Sequence, residues 1–171
     1  MSNEETVATL FELAIEMEKA AEALYRDFAA GFAHQQQAAD FWRVYAVEEA
    51  GHVRWLERFR NKLSLEQLSA PADLQMLQNA RQALYLCKQN ASQQVNSLDD
   101  ACQMASELEG SELNVVFEFL VNHSPEDKET QAFLRAQLKI HINKLMTGLA
   151  AQFNLQTRRE IKKRHSARRR Q

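Results

Sequence analysis

Apolar residues recur three and four positions apart along most of the chain, the period of an amphipathic helix, and strand-like alternation is missing throughout. Val7, Phe11, Ala14, Ala21, Tyr25 and Phe28 form one such row; Ser2 with Glu5 reads as its capping box, and Gly31 offers a stop. A second run extends from about Gln36 to Lys62, with Ala38, Trp42, Tyr45, Leu56 and Phe59 on one face and a break from Ser64 to Pro71. Residues 72 to 96 keep some periodicity through Leu74, Leu77, Ala80 and Leu84 before turning polar, which predicts a connection with its own short helix. Ser97 with Asp100 caps a third long helix reaching about Val121. Ser124-Pro125-Glu126-Asp127 then starts a fourth that reaches at least Phe153.

Two hairpins separated by about 25 residues predict an all-α four-helix bundle with one long crossover, because that length spans a bundle and a tight loop does not. Helices two and three then run parallel. An internal echo supports two similar hairpins. Ala14-Ile-Glu16-Met-Glu18 resembles Ala105-Ser-Glu107-Leu-Glu109, and Glu48-Glu49-Ala-Gly-His52 has a weaker image in Gln137-Leu138-Lys-Ile-His141.

Each apolar row is broken at mid-length by a polar residue. Glu18 lies between Phe11 and Tyr25, and Glu49 and His52 lie between Tyr45 and Leu56. Glu109 and Glu112 follow Cys102 and Ala105 and precede Val116 and Phe119, while His141 stands between Leu138 and Leu145. Buried carboxylates that face one another lose solvation and repel, and a divalent metal resolves both costs. Glu49 and His52, three apart, share one helix face. Mixed carboxylate and imidazole donors suit iron or manganese, with zinc as a further candidate.

Composition agrees with this picture. Four Gly and two Pro in 171 residues, 45% hydrophobic and 26% charged, describe one soluble helical domain and exclude a β-rich or disordered chain. The Met-Ser-Asn-Glu-Glu start has no signal-peptide character and no segment is long enough for a membrane span, so the expected location is the cytoplasm. Cys87 and Cys102 have no close cysteine neighbour, so neither a thiolate metal site nor a disulfide framework is expected, and Cys102 reads as a small core residue. The net charge of −2 conceals a basic end, where eight Arg and Lys residues after Gln156 face only Glu160. Residues 156–171 therefore read as a tail outside the bundle of residues 1–155, either a solvated end or a contact for nucleic acid or an anionic surface.

The set Glu18, Glu49-x-x-His52, Glu109 and His141 resembles the ferritin-like superfamily, and its rubrerythrin branch in particular, over roughly residues 3 to 153. Glu18 with Tyr25, and Glu109-Gly-Ser-Glu112, are similar to that branch's first and third helices. The resemblance implies one or two irons per chain, held by Glu18, Glu49, His52, Glu109, Glu112 and His141, with Glu49 bridging. It implies Fe(II) oxidation coupled to reduction of peroxide or oxygen, a homodimer, and a separate electron-donor protein, since the cysteines of a rubredoxin module are absent. Leu138 occupies the position of the second bridging carboxylate, so the fourth helix offers His141 alone.

His141 reads equally as a ligand or as a hydrogen-bonded core histidine, and Glu112 as a ligand or a solvated edge. Tyr25 and Tyr45 are expected to share one layer, packed with hydroxyl hydrogen bonds. Gly51 and Gly110 adjoin the proposed ligands inside helices, where Gly costs about 1 kcal/mol against Ala. Readings of other classes are a degenerate bundle without redox activity that acts as a scaffold through the basic tail, and iron storage in a shell.

Overall fold

A computed structural model describes residues 5–91, 95–109, 116–117, 120–121 and 128–152. The predicted basic tail, the predicted Ser124-Pro125 helix start, Ser2, Gly110 and Glu112 lie outside them. The described chain is all-α, with α1 (Val7–Gly31), α2 (Gln36–Lys62), α3 (Leu65–Ser69), α4 (Leu74–Ala91), α5 (Leu98–Glu109) and α6 (Lys128–Gln152). Residues 116–117 and 120–121 are also helical. Among the described residues no helix is long and apolar enough to cross a membrane.

The α2 boundaries coincide with the predicted run. At α1 the predicted cap is wrong by one turn: the helix starts at Val7, and the Thr6 hydroxyl accepts from the Thr9 amide. Thr6 is held there by backbone pairing with the far loop, where Val7 N donates to Ala70 O at 3.0 Å and Ala72 N to Glu5 O at 2.8 Å. That pairing joins residues more than sixty positions apart, so no local pattern signals it. The Ser97 cap is present, its Oγ accepting from Asp100 N at 3.1 Å.

The break after α2 is more ordered than its polar sequence suggests, because Ser64 and Gln67 close a reciprocal capping box that starts α3. The connection also holds more than a short helix. The 18 residues of α4 span about 27 Å and pack along α1, burying Leu77, Ala80, Ala83, Leu84 and Cys87.

Side-chain contacts give the helix directions. Phe11 meets Phe59 and Tyr25 meets Tyr45, so α1 and α2 are antiparallel. Glu5 pairs with Arg81 and Glu16 with Lys88, so α4 travels back beside α1 in the same sense. The start of α5 then packs with Phe28, Phe32 and Trp42, while Val116 and Phe117 beyond its end pack with Phe11 and Phe59. α5 therefore runs parallel to α2. Leu134 of α6 meets that lower cluster and Gly148 faces Phe41, which makes α6 antiparallel to α2.

Two apolar clusters result. The lower contains Phe11, Met17, Val53, Leu56, Phe59, Val116 and Phe117; the upper contains Ala21, Tyr25, Trp42, Tyr45, Ala46, Cys102 and Leu108. Between them, at one level of α1, α2, α5 and α6, lie the buried polar residues Glu18, Glu49, Glu109 and His141.

A Cβ on Gly51 would touch nothing closer than the Arg54 guanidinium at 3.9 Å, an ordinary contact with a flexible tip. Among the described residues no close helix approach requires this glycine. Gly51→Ala should therefore stabilise the protein by about 0.5–1 kcal/mol and raise Tm by about 1–4 °C. Calorimetric or circular-dichroism melting reads this directly, and a lower Tm would reveal a constraint on that face of α2.

Candidate metal centre

The polar layer exists because the helical period brings one acidic or imidazole residue from each of four helices to a single height. Glu18 follows Met17 and precedes Ala21 on the buried stripe of α1, so it cannot reach solvent without rotating the apolar residues outward. Glu49 sits between Ala46 and Val53 on α2 and is fully buried. Glu109 continues the stripe of Cys102, Ala105 and Leu108 on α5. His141 arrives from α6 and is also buried, whereas the His52 side chain is about one-fifth exposed.

Their contacts form two groups that share one member. His52 Nδ1 lies 2.9 Å from Glu49 Oε2 and 3.3 Å from Glu18 Oε2. His141 Nε2 lies 3.0 Å from Glu49 Oε1 and 3.1 Å from Glu109 Oε1. Glu18, Glu49 and His52 thus bring three ligand atoms within 4.8 Å of one another, and Glu49, Glu109 and His141 do the same. Each buried Glu/His group can hold a metal ion. Cys87 and Cys102, free and buried, belong to neither.

A direct test of fit is whether hydrogen bonds already use every buried donor and acceptor. They do not. The single N–H on His141 Nε2 can be aimed at only one carboxylate, and its alignment favours Glu109, so Glu49 Oε1 has a nitrogen neighbour but no hydrogen bond. Buried polar atoms are nearly always paired. An orphaned carboxylate oxygen between two imidazole–carboxylate groups fits a cation.

Sequence reasoning missed Glu48. Its Oε2 lies 2.7 Å from His141 Nδ1, and its Oε1 accepts from Lys144 Nζ at 3.1 Å. The adjacent acids Glu48 and Glu49 point about 100° apart around α2, so one enters the layer while the other meets α6 at its edge. That doublet was visible, but the path of α6 that gives Glu48 its role was not. Tyr25 supplies a second support, donating to Glu109 Oε1 at 2.7 Å. The expected aromatic layer is present: Tyr25 and Tyr45 meet edge to face at 5.8 Å, and Tyr25 stacks on Trp42 at 5.6 Å. Tyr45 lies 5.0 Å from the His141 ring.

Glu112 lies outside the described residues, as does the side chain of Leu138 on α6. No protein-family model, curated protein or solved structure matches the chain.

Without metal the cluster holds protons. Burial raises Glu18 to about 8, against a smaller opposing pull from His52. Burial alone would lower both histidines, but the carboxylates outweigh it. Glu18 and Glu49 raise His52 to about 10, and Glu109, Glu48 and Glu49 raise His141 to about 12. For Glu49 burial pushes upward, and the two imidazoliums more than reverse it, holding the carboxyl far below its ordinary range. Burial also pushes the Tyr25 hydroxyl up, so it stays a donor toward Glu109.

Linkage sets the sign of the pH dependence. The folded protein retains protons on His52 and His141 that the unfolded chain releases near 6.5, and one on Glu18 that it releases near 4.5. Each contribution is complete below its unfolded value and is lost as pH rises through its folded value. The Glu49 contribution has the opposite sign and is lost only as pH falls below about 4.5. The chelator-treated protein should therefore show a falling Tm from about pH 6.5 to about 10, while a bound divalent cation, competing with those same protons, stabilises more as pH rises. A Tm that climbs across this window without metal would refute the charge assignment.

Proposed function

We propose that the protein is a ferritin-like four-helix bundle of the rubrerythrin type that binds one or two irons and couples Fe(II) oxidation to reduction of peroxide or oxygen. In this reading α1, α2, α5 with the segment after it, and α6 form the bundle, and α4 lies within the crossover. The observation that carries it is the carboxylate of Glu49. One of its oxygens faces His52 at 2.9 Å and the other faces His141 at 3.0 Å, the second without a hydrogen bond. A carboxylate so divided would be able to serve two cations at once.

Glu18 and His52 complete one site in this proposal, and Glu109 and His141 the other, with Glu112 as an additional ligand from the third helix. Two neighbouring irons supply a shared charge change when peroxide or oxygen is reduced. Manganese or zinc satisfies the same donors.

The chain contributes position and exclusion of water. Glu48 accepts the Nδ1 proton of His141, which leaves Nε2 directed at Glu49 and Glu109 and makes that imidazole more basic. Tyr25 occupies one oxygen of Glu109 and so fixes its rotation. The stacked aromatic residues above the layer and the apolar cluster below keep the local dielectric low, which strengthens each charge interaction. Leu138 in place of a second bridging acid makes the two sites unequal. A separate electron-donor protein and pairing of two chains complete the proposal.

Anaerobic Fe(II) titration with elemental analysis tests it. The wild type should bind between one and two irons per chain, and Glu49→Ala should reduce both sites together. Glu48→Ala should weaken the His141 site by about 10–100-fold and leave the His52 site nearly unchanged. Addition of peroxide to the loaded protein should oxidise the iron stoichiometrically. Iron binding no higher than background in the wild type would end the proposal.

A further inference from the structure

Between α2 and α6 a cavity of about 630 Å³ opens from the layer just described toward the C-terminal end of α2. Its inner end is formed by Glu48, His52 and His141, and its walls include Trp55, Phe117, Phe133, Leu134 and Ile140. Trp55 lies 5.2 Å from Phe117, which makes a continuous aromatic surface on the bundle side. On the other side Phe133 and Ile140, seven residues apart on α6, are 59% and 44% exposed. Single exposed apolar side chains are ordinary. Two on one helical row, continuous with a cavity of ligand size, give that cavity an apolar wall.

The charges along this cleft are unevenly placed. At the inner end Lys144 is engaged by Glu48, and the buried carboxylates lie behind. Every cation at that end, the His52 and His141 rings included, already faces a carboxylate. At the outer end Arg58 and Lys62 line the cavity, and among the described residues Arg58 has no carboxylate partner, only the Arg54 carbonyl at 3.3 Å on its Nε. Arg58 and Lys62 follow His52 on α2 by six and ten residues, which is about 9 and about 15 Å along the axis. An extended chain advancing about 1.2 Å per bond covers that distance in about eight to twelve bonds.

The geometry points to a binding site for a medium-chain carboxylate, its carboxylate held by Arg58 with Lys62 beside it and its alkyl chain lying between Trp55, Phe117 and Phe133 with its end near His52 and His141. The site is made of protein atoms alone. It therefore stands or fails separately from the iron proposal.

Titration calorimetry of the 171-residue chain with decanoate below its micellar concentration tests the inference, before and after chelator treatment. One decanoate per chain should bind in both states, with decan-1-ol about tenfold weaker because it lacks the charge. The double variant R58A/K62A, at exposed positions, should bind decanoate only as well as decan-1-ol and leave decan-1-ol unaffected. F133A should weaken both ligands. Equal affinity for acid and alcohol, undiminished decanoate binding by R58A/K62A, several ligands per chain, loss of binding on chelation, or no binding at all would each overturn it.

Discussion

A fully buried carboxylate must be matched by positive charge, and in this protein the matching of Glu49 organises everything around it. One helix cannot do it. His52 comes from the same helix, but His141 comes from α6, while Glu18 and Glu109 compete for the same two imidazoles from α1 and α5. Four helices are therefore tied at one level by charge and direction rather than by area alone. Removing either imidazole would leave an uncompensated buried acid, which is much more costly than losing an exposed ion pair such as Lys19 with Glu57.

The apolar clusters above and below give those charges their strength. Phe11, Met17, Leu56 and Phe59 seal one side, and Tyr25, Trp42 and Tyr45 seal the other. Burial raises the free energy of every ion in the layer, and this is why Glu18 shifts up while the histidines, each facing more than one carboxylate, hold their protons. Tyr25 joins the two regimes: its ring stacks on Trp42 and its hydroxyl reaches Glu109. Packing therefore sets the orientation of a charged group that it does not touch through apolar contact.

Much of this was legible along the chain. Glu18, Glu49, Glu109 and His141 are conspicuous because each interrupts an apolar stripe at helical spacing, and a polar residue on a buried stripe needs partners. The α2 boundaries and the Ser97 cap rest on local signals and agree with the structure. What escaped is non-local. Thr6 displaces the predicted cap because the chain near Pro71 pairs with it, and α4 is a full packed helix because α1 offers a second apolar flank to its Leu77 and Leu84. Glu48 looks like any exposed helix acid until α6 lies beside it.

The two halves of the layer are not equivalent. His141 is held on both ring nitrogens, by Glu48 at 2.7 Å and by Glu109 at 3.1 Å, and Lys144 secures Glu48 in turn. Among the described residues His52 makes its polar contacts through Nδ1, and its ring borders the cleft. The closed half therefore has one orientation imposed by its neighbours, and the open half retains freedom on the side that a small molecule can approach. Each ring also has an aromatic neighbour, Tyr45 at 5.0 Å from His141 and Phe117 at 5.1 Å from His52, so the asymmetry lies in the nitrogens and not in the aromatic packing. Approach from the cleft thus meets His52 on its partly exposed face, while His141 presents a ring already committed at both nitrogens.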